Sequence, residues 1–577
     1  MHVRSLARRT LAAAALALAA PAHAQAPAFQ PGPCHPGTAA DARCGTVQVP
    51  ENRDDPGRML ALNVVILPAR SAAPARQALA VFGGGPGQGA TTMMEWVGEK
   101  FDVLRDERDL LFVDQRGTGR SAPLQCQMRD EGDPQSFLGD YLPPERTARC
   151  LEELGRTADL TRYGYQELAQ DIEAVRRALG YERLDLWGAS YGTRAAQVYA
   201  RAYPRHVRSL TLEGVVPFGY YQPAHFARGM ESALAGVARD CRADAACAAA
   251  FPDFAREVRA VADRLAATPA TAEITDPETG ARLRLTLTRA TFVDLLRRML
   301  YDVSAAGRIP YLVHRAFQGD YRPALRTALQ DRRGSQRNLQ WGLYLAITCS
   351  EDVPFVNAAA AARDDAHTLL ADWRVQQQKT ACRGWPTYAV PGHYHQRLPS
   401  DIPTVLVSGE LDPVTPPASG EAAAAAMRNS LHVVVPSAAH SYFGLVGGEC
   451  VDALLVRFIR QGSVAGLDTS CVGQMRRRPF VTEEREPITL NRAAVQRFAG
   501  GYASADPAME VRFEALDGVL RARIDSEHMT VIASPISPTE FQWEGFPSEF
   551  VFRFSEDGRT LTMPSRTQPS VTLTRKP

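Results

Sequence analysis

The sequence predicts an α/β fold with three parts: a mostly parallel sheet with helices on both faces, a helical insertion, and a small C-terminal antiparallel β domain. Short apolar strands alternate with helical patterns between about residues 78 and 212, and again from residue 404. Between 217 and 399 the alternation stops and the sequence becomes helical and rich in alanine. After residue 488, short alternating segments separated by turn residues are typical of a small barrel or sandwich.

The chain has 577 residues, which is too long for one ordinary domain. Its formal net charge of +1 gives no field that would draw it to nucleic acid, so we expect no such partner. We expect five segments: a signal peptide over 1–24, the first part of the α/β core over 25–216, a cap insertion over 217–399, the second part of the core over 400–478, and the β domain over 488–577.

The N-terminus has the pattern of a secretory signal peptide. Arg4, Arg8 and Arg9 precede an apolar stretch over 11–20, and Ala22-His23-Ala24 forms a small-x-small cleavage site. The apolar stretch is too short to span a bilayer, which disfavours the alternative of an uncleaved anchor. We therefore expect a secreted or periplasmic protein with no membrane span in the mature chain.

Cysteine usage agrees with an oxidising compartment. The cysteines are even in number, so disulfides are expected, although sequence alone does not fix their connectivity. A zinc site is disfavoured because no cysteine and histidine residues stand at metal-ligand spacing. We predict nearest-neighbour pairing of the ten cysteines: 34–44, 126–150, 241–247, 349–382 and 450–471.

A nucleophile motif lies at the centre of the first α/β segment. Gly188-Ala189-Ser190-Tyr191-Gly192 has the form G-x-S-x-G, directly after a predicted strand and directly before a predicted helix. That context is typical of a strained turn that exposes a catalytic serine. We predict Ser190 as the nucleophile and the backbone amide of Tyr191 as one oxyanion donor. The alternative is a glycine-serine turn without chemistry.

A serine nucleophile needs a base, and the base needs an acid that orients it. Asp412 and His440 each follow a strand of the resumed alternation, in the order acid then histidine. Both should therefore lie at the carboxyl edge of the sheet. Glu410 is the competing acid, and His393 and His395 are the competing histidines, although they precede Asp412.

A glycine-rich turn follows the first strand of the α/β alternation. Gly83-Gly84-Gly85-Pro86-Gly87 stands where a second oxyanion donor is required, and glycines allow the backbone to approach an oxyanion closely. We predict the amide of Gly85 as this donor, with Gly84 as the alternative. Chemistry of this kind requires no metal and no organic cofactor.

Four motifs together resemble one family. Gly84-Gly85-Pro86-Gly87, the stretch D-Q-R-G-T-G-R-S over 114–121, and the serine pentapeptide look like the proline iminopeptidase and tripeptidyl aminopeptidase family of α/β-hydrolases. The segment from Cys450 to Cys471 resembles the C-terminal part of the tripeptidyl branch. The resemblance covers about 40–475. Gly83 stands where the iminopeptidase branch has histidine, which favours the tripeptidyl branch.

The resemblance implies an enzyme that removes residues from peptides with a free N-terminus. Such an enzyme must recognise an α-ammonium group, and a buried carboxylate near the scissile bond would do this. Glu213, Glu351 and Asp352 are the candidates, with a structural role as the alternative for each. Because fold does not settle substrate, an esterase acting on small molecules with the same triad stays open.

Overall fold

The computed structural model describes residues 28–576, apart from gaps at 36–37, 73–74, 486, 489, 506–507, 517, 525–528, 544–550 and 565–569. The expected signal peptide over 1–24 lies outside the described residues. In the described part of the chain, no helix is both long enough and apolar enough to cross a membrane.

Nine of the described strands form one sheet. Seven of them precede the insertion: β1 Phe29–Gly32, β2 Arg43–Pro50, β3 Met59–Leu67, β4 Gln77–Phe82, β5 Asp109–Val113, β6 Arg183–Ala189 and β7 Val207–Glu213. The insertion contains a separate antiparallel hairpin, β8 Ala270–Thr275 and β9 Arg282–Leu287. Two further strands of the large sheet, β10 Thr404–Gly409 and β11 Ser430–Val435, follow the insertion.

The strand order of the large sheet is β1-β2-β3-β5-β4-β6-β7-β10-β11. The strands from β5 to β11 in this order pair in parallel, whereas β1, β2 and β3 add an antiparallel edge. This arrangement confirms the predicted α/β fold. Because the carboxyl ends of the parallel strands meet at one edge, the loops after β4, β6, β7, β10 and β11 converge there.

Helices cover the sheet and build the insertion. The core helices are α1 Met94–Lys100, α2 Pro144–Gly155, α3 Tyr165–Leu179 and α4 Gly192–Ala202. The insertion between β7 and β10 contains α5 Phe226–Ala243, α6 Ala245–Ala250, α7 Phe254–Ala267, α8 Arg289–Met299, α9 Val303–Phe317, α10 Arg322–Asn338, α11 Trp341–Glu351, α12 Ala358–Asp365 and α13 Trp373–Ala381. Two helices accompany the last strands, α14 Pro417–Ala424 and α15 Glu449–Gln461.

Most of the insertion packs around an apolar core of its own, formed mainly by α5 and α7–α10. Helix α11 is different, because every one of its residues is buried and several join the core of the large sheet instead. A helix that is apolar on all sides has no amphipathic period and is typical of a fully enclosed position. Helix α11 therefore runs through the interior, between the sheet and the rest of the cap.

The C-terminal segment begins with a short helix, α16 Arg492–Gln496, and forms a closed barrel. Its strands are β12 Gly500–Ala505, β13 Ala508–Ala515, β14 Leu520–Ile524, β15 Met529–Pro535, β16 Glu540–Trp543, β17 Val551–Phe554, β18 Thr560–Met563 and β19 Val571–Arg575. Closure through pairing of β12 with β19 decides between the barrel and the sandwich that the sequence left open. Aromatic rings fill much of the interior: Phe498, Tyr502, Phe513, Phe541, Phe552 and Phe554.

The barrel contacts the cap. The Ile532 amide donates to the Pro277 carbonyl at 2.7 Å in the turn between β8 and β9. In the linker before the barrel, Glu484 forms a buried ion pair with Arg308 of α9.

All five predicted disulfides are present, with the nearest-neighbour pairing: 34–44, 126–150, 241–247, 349–382 and 450–471. The bond between Cys349 and Cys382 joins the end of α11 to the end of α13.

Candidate active site

Ser190 lies in the turn between β6 and α4 with a φ of 54°, which is strained for a residue with a side chain. The turn is so tight that neighbouring positions require glycine. A Cβ on Gly188 would lie 2.6 Å from the Gly192 carbonyl oxygen, and a Cβ on Gly192 would lie 2.2 Å from that of Phe82. The Ser190 amide donates to the Glu213 carbonyl at 2.8 Å, which fixes the turn against the end of β7.

Asp412 and His440 form a buried hydrogen-bonded pair. The distance from His440 Nδ1 to Asp412 Oδ2 is 2.7 Å, and the carboxylate also accepts from the amides of Val414 and Thr415 at 2.9 and 2.8 Å. Burial alone would raise the pKa of Asp412, but the His440 charge and these hydrogen bonds hold it below its ordinary value. An ionised Asp412 assigns the proton of the imidazole to Nδ1 and leaves Nε2 free to act as a base.

The end of β7 lies next to both Ser190 and His440. Gly214, the residue after Glu213, lies so close to the imidazole that a Cβ there would be 2.9 Å from His440 Cε1. Among the described residues, no hydrogen bond joins the Ser190 hydroxyl to His440. Such contacts often tighten only when substrate binds.

The glycine-rich loop after β4 lies beside the nucleophile. A Cβ on Gly84 would be 3.1 Å from Ser190 Cβ, and Gly85 has a φ of 107°, which strongly favours glycine. Within the described chain, the amides of Gly85 and Tyr191 donate no hydrogen bond to another group. Both amides are thus free to hold a developing oxyanion, and the choice of Gly85 over Gly84 stays a prediction.

The D-Q-R-G stretch forms hydrogen bonds and an ion pair with neighbouring loops and with α3. Asp114 accepts hydrogen bonds from the amides of Thr91 and Arg120 at 3.0 and 3.1 Å. Arg116 forms a buried two-point ion pair with Asp171 of α3, at 2.6 and 2.8 Å. These contacts are those of a structural scaffold.

Glu213, the first candidate for ammonium recognition, is already paired with a cationic side chain of the protein. Its carboxylate accepts from Lys100 Nζ and from Trp187 Nε1, both at 2.6 Å. Lys100 also donates to the hydroxyl of Tyr442, two residues after His440. An incoming ammonium would have to displace Lys100, so the structure favours the other two candidates over Glu213.

Glu351 and Asp352, which we call the acid pair, lie at the C-terminal end of α11. Both are almost completely buried. Glu351 accepts from the Tyr165 amide at 3.1 Å and from the hydroxyls of Tyr388, at 2.6 Å, and Tyr394. Burial raises the pKa of Glu351, whereas these donors oppose that effect.

Asp352 connects the acid pair to the nucleophile turn. Its Oδ2 accepts from the hydroxyl of Tyr191 at 2.6 Å, whereas no donor of the described chain reaches Oδ1 within hydrogen-bond geometry. Burial, and to a smaller extent the charge of Glu351, raises the pKa of Asp352 to about 7, although Arg194 and the Tyr191 hydroxyl act in the opposite direction. The Gln222 amide, which lies near the carboxylate but outside hydrogen-bond geometry, also lowers this pKa. A buried carboxylate oxygen without a donor is costly, and an ammonium group would satisfy it.

Sequence reasoning missed two residues of this region, Arg194 and Tyr301, and also the side-chain role of Tyr191. Arg194, on the first turn of α4, is fully buried and donates to the carbonyls of Pro217 and Tyr220 at 2.6 and 3.0 Å, leaving Nη1 without a partner. The Tyr191 hydroxyl anchors Asp352, and the ring of Tyr301, between α8 and α9, meets His440 edge-on at 5.0 Å. Of these, only Arg194 had a signal in the sequence, because it is an arginine four positions after the predicted nucleophile.

The chain is similar to known proteins of one fold family. A family model described as alpha/beta hydrolase fold matches residues 78–444. Serine protease Hip1 of Mycobacterium tuberculosis is 27% identical over 472 residues, which cover 74% of this chain and 87% of that protein. Tripeptidyl aminopeptidase of Streptomyces lividans is 30% identical over 196 residues, which cover 30% of this chain and 35% of the relative.

Among solved structures, the proline iminopeptidase of Mycobacterium smegmatis is 18% identical and covers 73% of this chain and 99% of its own, with a TM-score of 0.35. The sequence relatives confirm the resemblance that the motifs indicated.

Proposed function

The chain belongs to the alpha/beta hydrolase fold family and is a serine hydrolase, and on this premise we propose that it is a secreted peptidase that removes residues from peptide N-termini. The observation that carries the proposal is the acid pair, whose Asp352 has a free buried oxygen and is hydrogen-bonded to the residue after Ser190. Five disulfides support an oxidising compartment. The names of the relatives, a serine protease and an aminopeptidase, support the reaction class.

In the proposed mechanism, Ser190 Oγ attacks the scissile carbonyl carbon while His440 Nε2 takes the hydroxyl proton. The amides of Tyr191 and Gly85 hold the oxyanion of the tetrahedral intermediate. The C–N bond then breaks as the imidazolium gives its proton to the leaving amine. Water, deprotonated by His440, cleaves the acyl-enzyme and restores Ser190. Asp412 keeps the imidazole in the required tautomer throughout.

Recognition of the N-terminus supplies the specificity. An α-ammonium placed at Asp352 Oδ1 would complete the hydrogen bonding of the acid pair. Two carboxylates face the single guanidinium of Arg194 here, so one further positive charge balances the buried cluster. Tyr191 then connects amine recognition with catalysis, because its hydroxyl donates to Asp352 and its amide donates to the oxyanion.

The deciding experiment compares three substrates of the mature protein: a tripeptidyl amide with a free N-terminus, its N-acetylated twin, and a short acyl ester, with Ser190→Ala as the blank. Rapid cleavage of the free peptide and slow cleavage of its acetylated twin is the expected result. Equal cleavage of both peptides would remove ammonium recognition from the proposal. Cleavage of the ester alone would favour the esterase.

Neutralising the acid pair should weaken amine recognition selectively. For Asp352→Asn and Glu351→Gln we expect kcat/KM for the free tripeptidyl amide to fall about 10- to 100-fold, the value of one or two charge-assisted hydrogen bonds. Hydrolysis of the acyl ester should change much less. Glu213→Gln is the matched control: it should leave the preference for the free over the acetylated peptide intact. A loss of that preference in the control alone would transfer the ammonium site to Glu213.

The preference should also depend on pH. Because the pKa of Asp352 is about 7, the carboxylate that pairs with ammonium forms as the pH rises through 7. The peptide ammonium itself deprotonates near pH 8. We expect the ratio of kcat/KM for the free peptide to kcat/KM for the ester to rise from pH 6 to a maximum between about 7 and 8. The ratio cancels any effect of pH that the two substrates share. In Asp352→Asn the rise near pH 7 should be absent.

A further inference from the structure

A second buried charge cluster lies in the cap. Arg129, Arg297, Arg332 and Arg374, which we call the arginine cluster, are each no more than 5% exposed. They surround one carboxylate, that of Asp294, which is completely buried. The cluster gathers side chains from α8, α10, α13 and the loop before α2, so no single stretch of sequence reveals it.

Asp294, the acid in the centre, does not accept hydrogen bonds from all four arginines. Asp294 accepts from Arg297 Nε at 2.9 Å and from Arg332 Nη2. The hydrogen bond of Arg374 is a long one, from Nη2 to the Tyr344 hydroxyl at 3.3 Å. Within the described residues, Arg374 Nε and Nη1 and Arg332 Nη1 are buried and have no hydrogen-bond partner.

The charge balance of the cluster favours the binding of an anion. Four buried guanidinium groups face one buried carboxylate, and the exposed Asp140 is the second acid whose charge acts on Arg129. A buried charge without a partner is costly. Stacking on Tyr141, 3.8 Å from the Arg374 guanidinium carbon to the ring centre, offsets part of that cost. Burial, and secondly the neighbouring charge of Arg332, lowers the pKa of Arg129 to about 9. The unpaired N–H groups are donors of the kind that bind a carboxylate.

The cluster lies close to the proposed catalytic residues. Arg297 Nη1 donates to the Tyr301 hydroxyl at 3.0 Å, and the ring of Tyr301 contacts His440. On the other side, the ring of Trp341 meets Tyr141 edge-on at 5.4 Å. Trp341 begins α11 directly after Gln340, whose amide donates to the carbonyl of Gly87 in the glycine-rich loop, at 3.0 Å.

Helix α11 relates the two charged clusters. Tyr344, near its N-terminal end, contacts Arg374, whereas Glu351 of the acid pair ends the helix. Tyr344 and Glu351 are seven positions apart, which corresponds to about 10 Å along the helix axis. A peptide of about three extended residues spans the same distance.

From this arrangement we infer that the arginine cluster is a carboxylate subsite of the peptide site, so that the preferred substrates carry an anionic group as well as a free N-terminus. The inference rests on the proposed peptidase function. It adds a negatively charged group to the substrate, beside the positively charged N-terminus. The carboxylate has two sources, the C-terminus of a short peptide or an acidic side chain, and both offer the same two oxygens to Arg374 and Arg332.

The test measures binding to the inactive Ser190→Ala protein by calorimetry, so that it does not depend on turnover. One arm compares tetra-alanine as the free acid with its C-terminal amide. A second arm compares peptide amides that carry glutamate with their glutamine twins. We expect about 10- to 100-fold tighter binding of the anionic member in one arm, and that arm identifies the source. Equal binding in both arms would overturn the inference.

Arg374→Met separates recognition from a structural role. This change removes an arginine that donates to no carboxylate within the described residues, so we expect an unchanged or higher Tm together with loss of the preference for the anionic peptide. Arg333→Met is the matched control, because Arg333 is buried next to Arg332 but forms a two-point pair with Asp276, at 2.6 and 3.0 Å. The control should lower Tm and keep the preference.

If Arg374→Met lowers Tm as the control does and keeps the preference for the anion, the cluster only holds the cap together. The proposed function is judged separately by N-acetylation of the same peptides. Weakened binding of the acetylated forms, with no difference between acid and amide, would retain the peptidase and reject the carboxylate subsite.

Discussion

Asp412→Asn is expected to lower kcat by about 10⁴-fold while KM and Tm change little. The carboxylate accepts the Nδ1 proton of His440 and thereby leaves Nε2 unprotonated, as the proposed mechanism requires of the base. An asparagine can instead present its NH₂ to Nδ1, which places the proton on Nε2 and disables the base. The amides of Val414 and Thr415 donate to the other oxygen, which asparagine retains, so the loop should keep its shape.

The measurement is steady-state kinetics on the tripeptidyl amide and the ester, with circular dichroism and Tm as checks of folding. Glu410→Gln is the matched control, because Glu410 is the other acid of this loop and pairs with Arg239 at 3.0 Å near the surface. Its kcat should stay within about threefold of wild type, since exposed ion pairs contribute little. The triad assignment would fail if Glu410→Gln were the inactive variant and Asp412→Asn the active one.

Gly85→Ala is expected to reduce kcat by about 10²- to 10³-fold, the usual effect of losing one oxyanion donor. The φ of 107° disfavours any side chain at this position. An added Cβ would lie 2.9 Å from the Gly87 amide nitrogen and 2.7 Å from Leu339 Cδ1 of the cap. The side chain of Leu339 can move, but the backbone contact requires the loop to shift, and the shift misplaces the Gly85 amide.

Gly334→Ala serves as its control. Gly334 lies in α10, and a Cβ there would meet nothing within 4 Å. We expect unchanged kcat and a gain of up to about 1 kcal/mol in the free energy of unfolding, because alanine favours helix over glycine. Near-normal kcat in a folded Gly85→Ala protein would show that the second donor lies elsewhere, with Gly84 as the first alternative.

The residues around Ser190 were predictable because the signals that specify them are local. A strand, a tight glycine turn and a helix place Ser190, and later strand ends place Asp412 and His440. Each inference needed no more than about ten consecutive residues and the rule that parallel strands end at one edge. The disulfide pairing was predictable for a related reason, since each partner was the nearest cysteine in the chain.

The sequence named the candidates for ammonium recognition but could not choose among them, because their contacts join distant segments. Glu213 pairs with Lys100 across 113 positions, and Tyr165 donates to Glu351 across 186. Helix α11 gave no amphipathic pattern because all its faces are buried. Closure of the barrel was equally inaccessible, since pairing of its first and last strands is a property of the completed sheet.

The disulfide between Cys349 and Cys382 has a consequence for when the protein becomes active. It closes a 33-residue loop, worth about 3 to 4 kcal/mol in chain entropy, and ties the helix of the acid pair to the helix of Arg374. Ser190, Asp412 and His440 all lie outside that loop. In a reducing cytosol the proposed catalytic residues would therefore be in place before this disulfide secured the proposed recognition residues. We expect such a newly made chain to be latent towards peptides, so that the proposed export, followed by oxidation, would protect the cytosolic peptide pool from it.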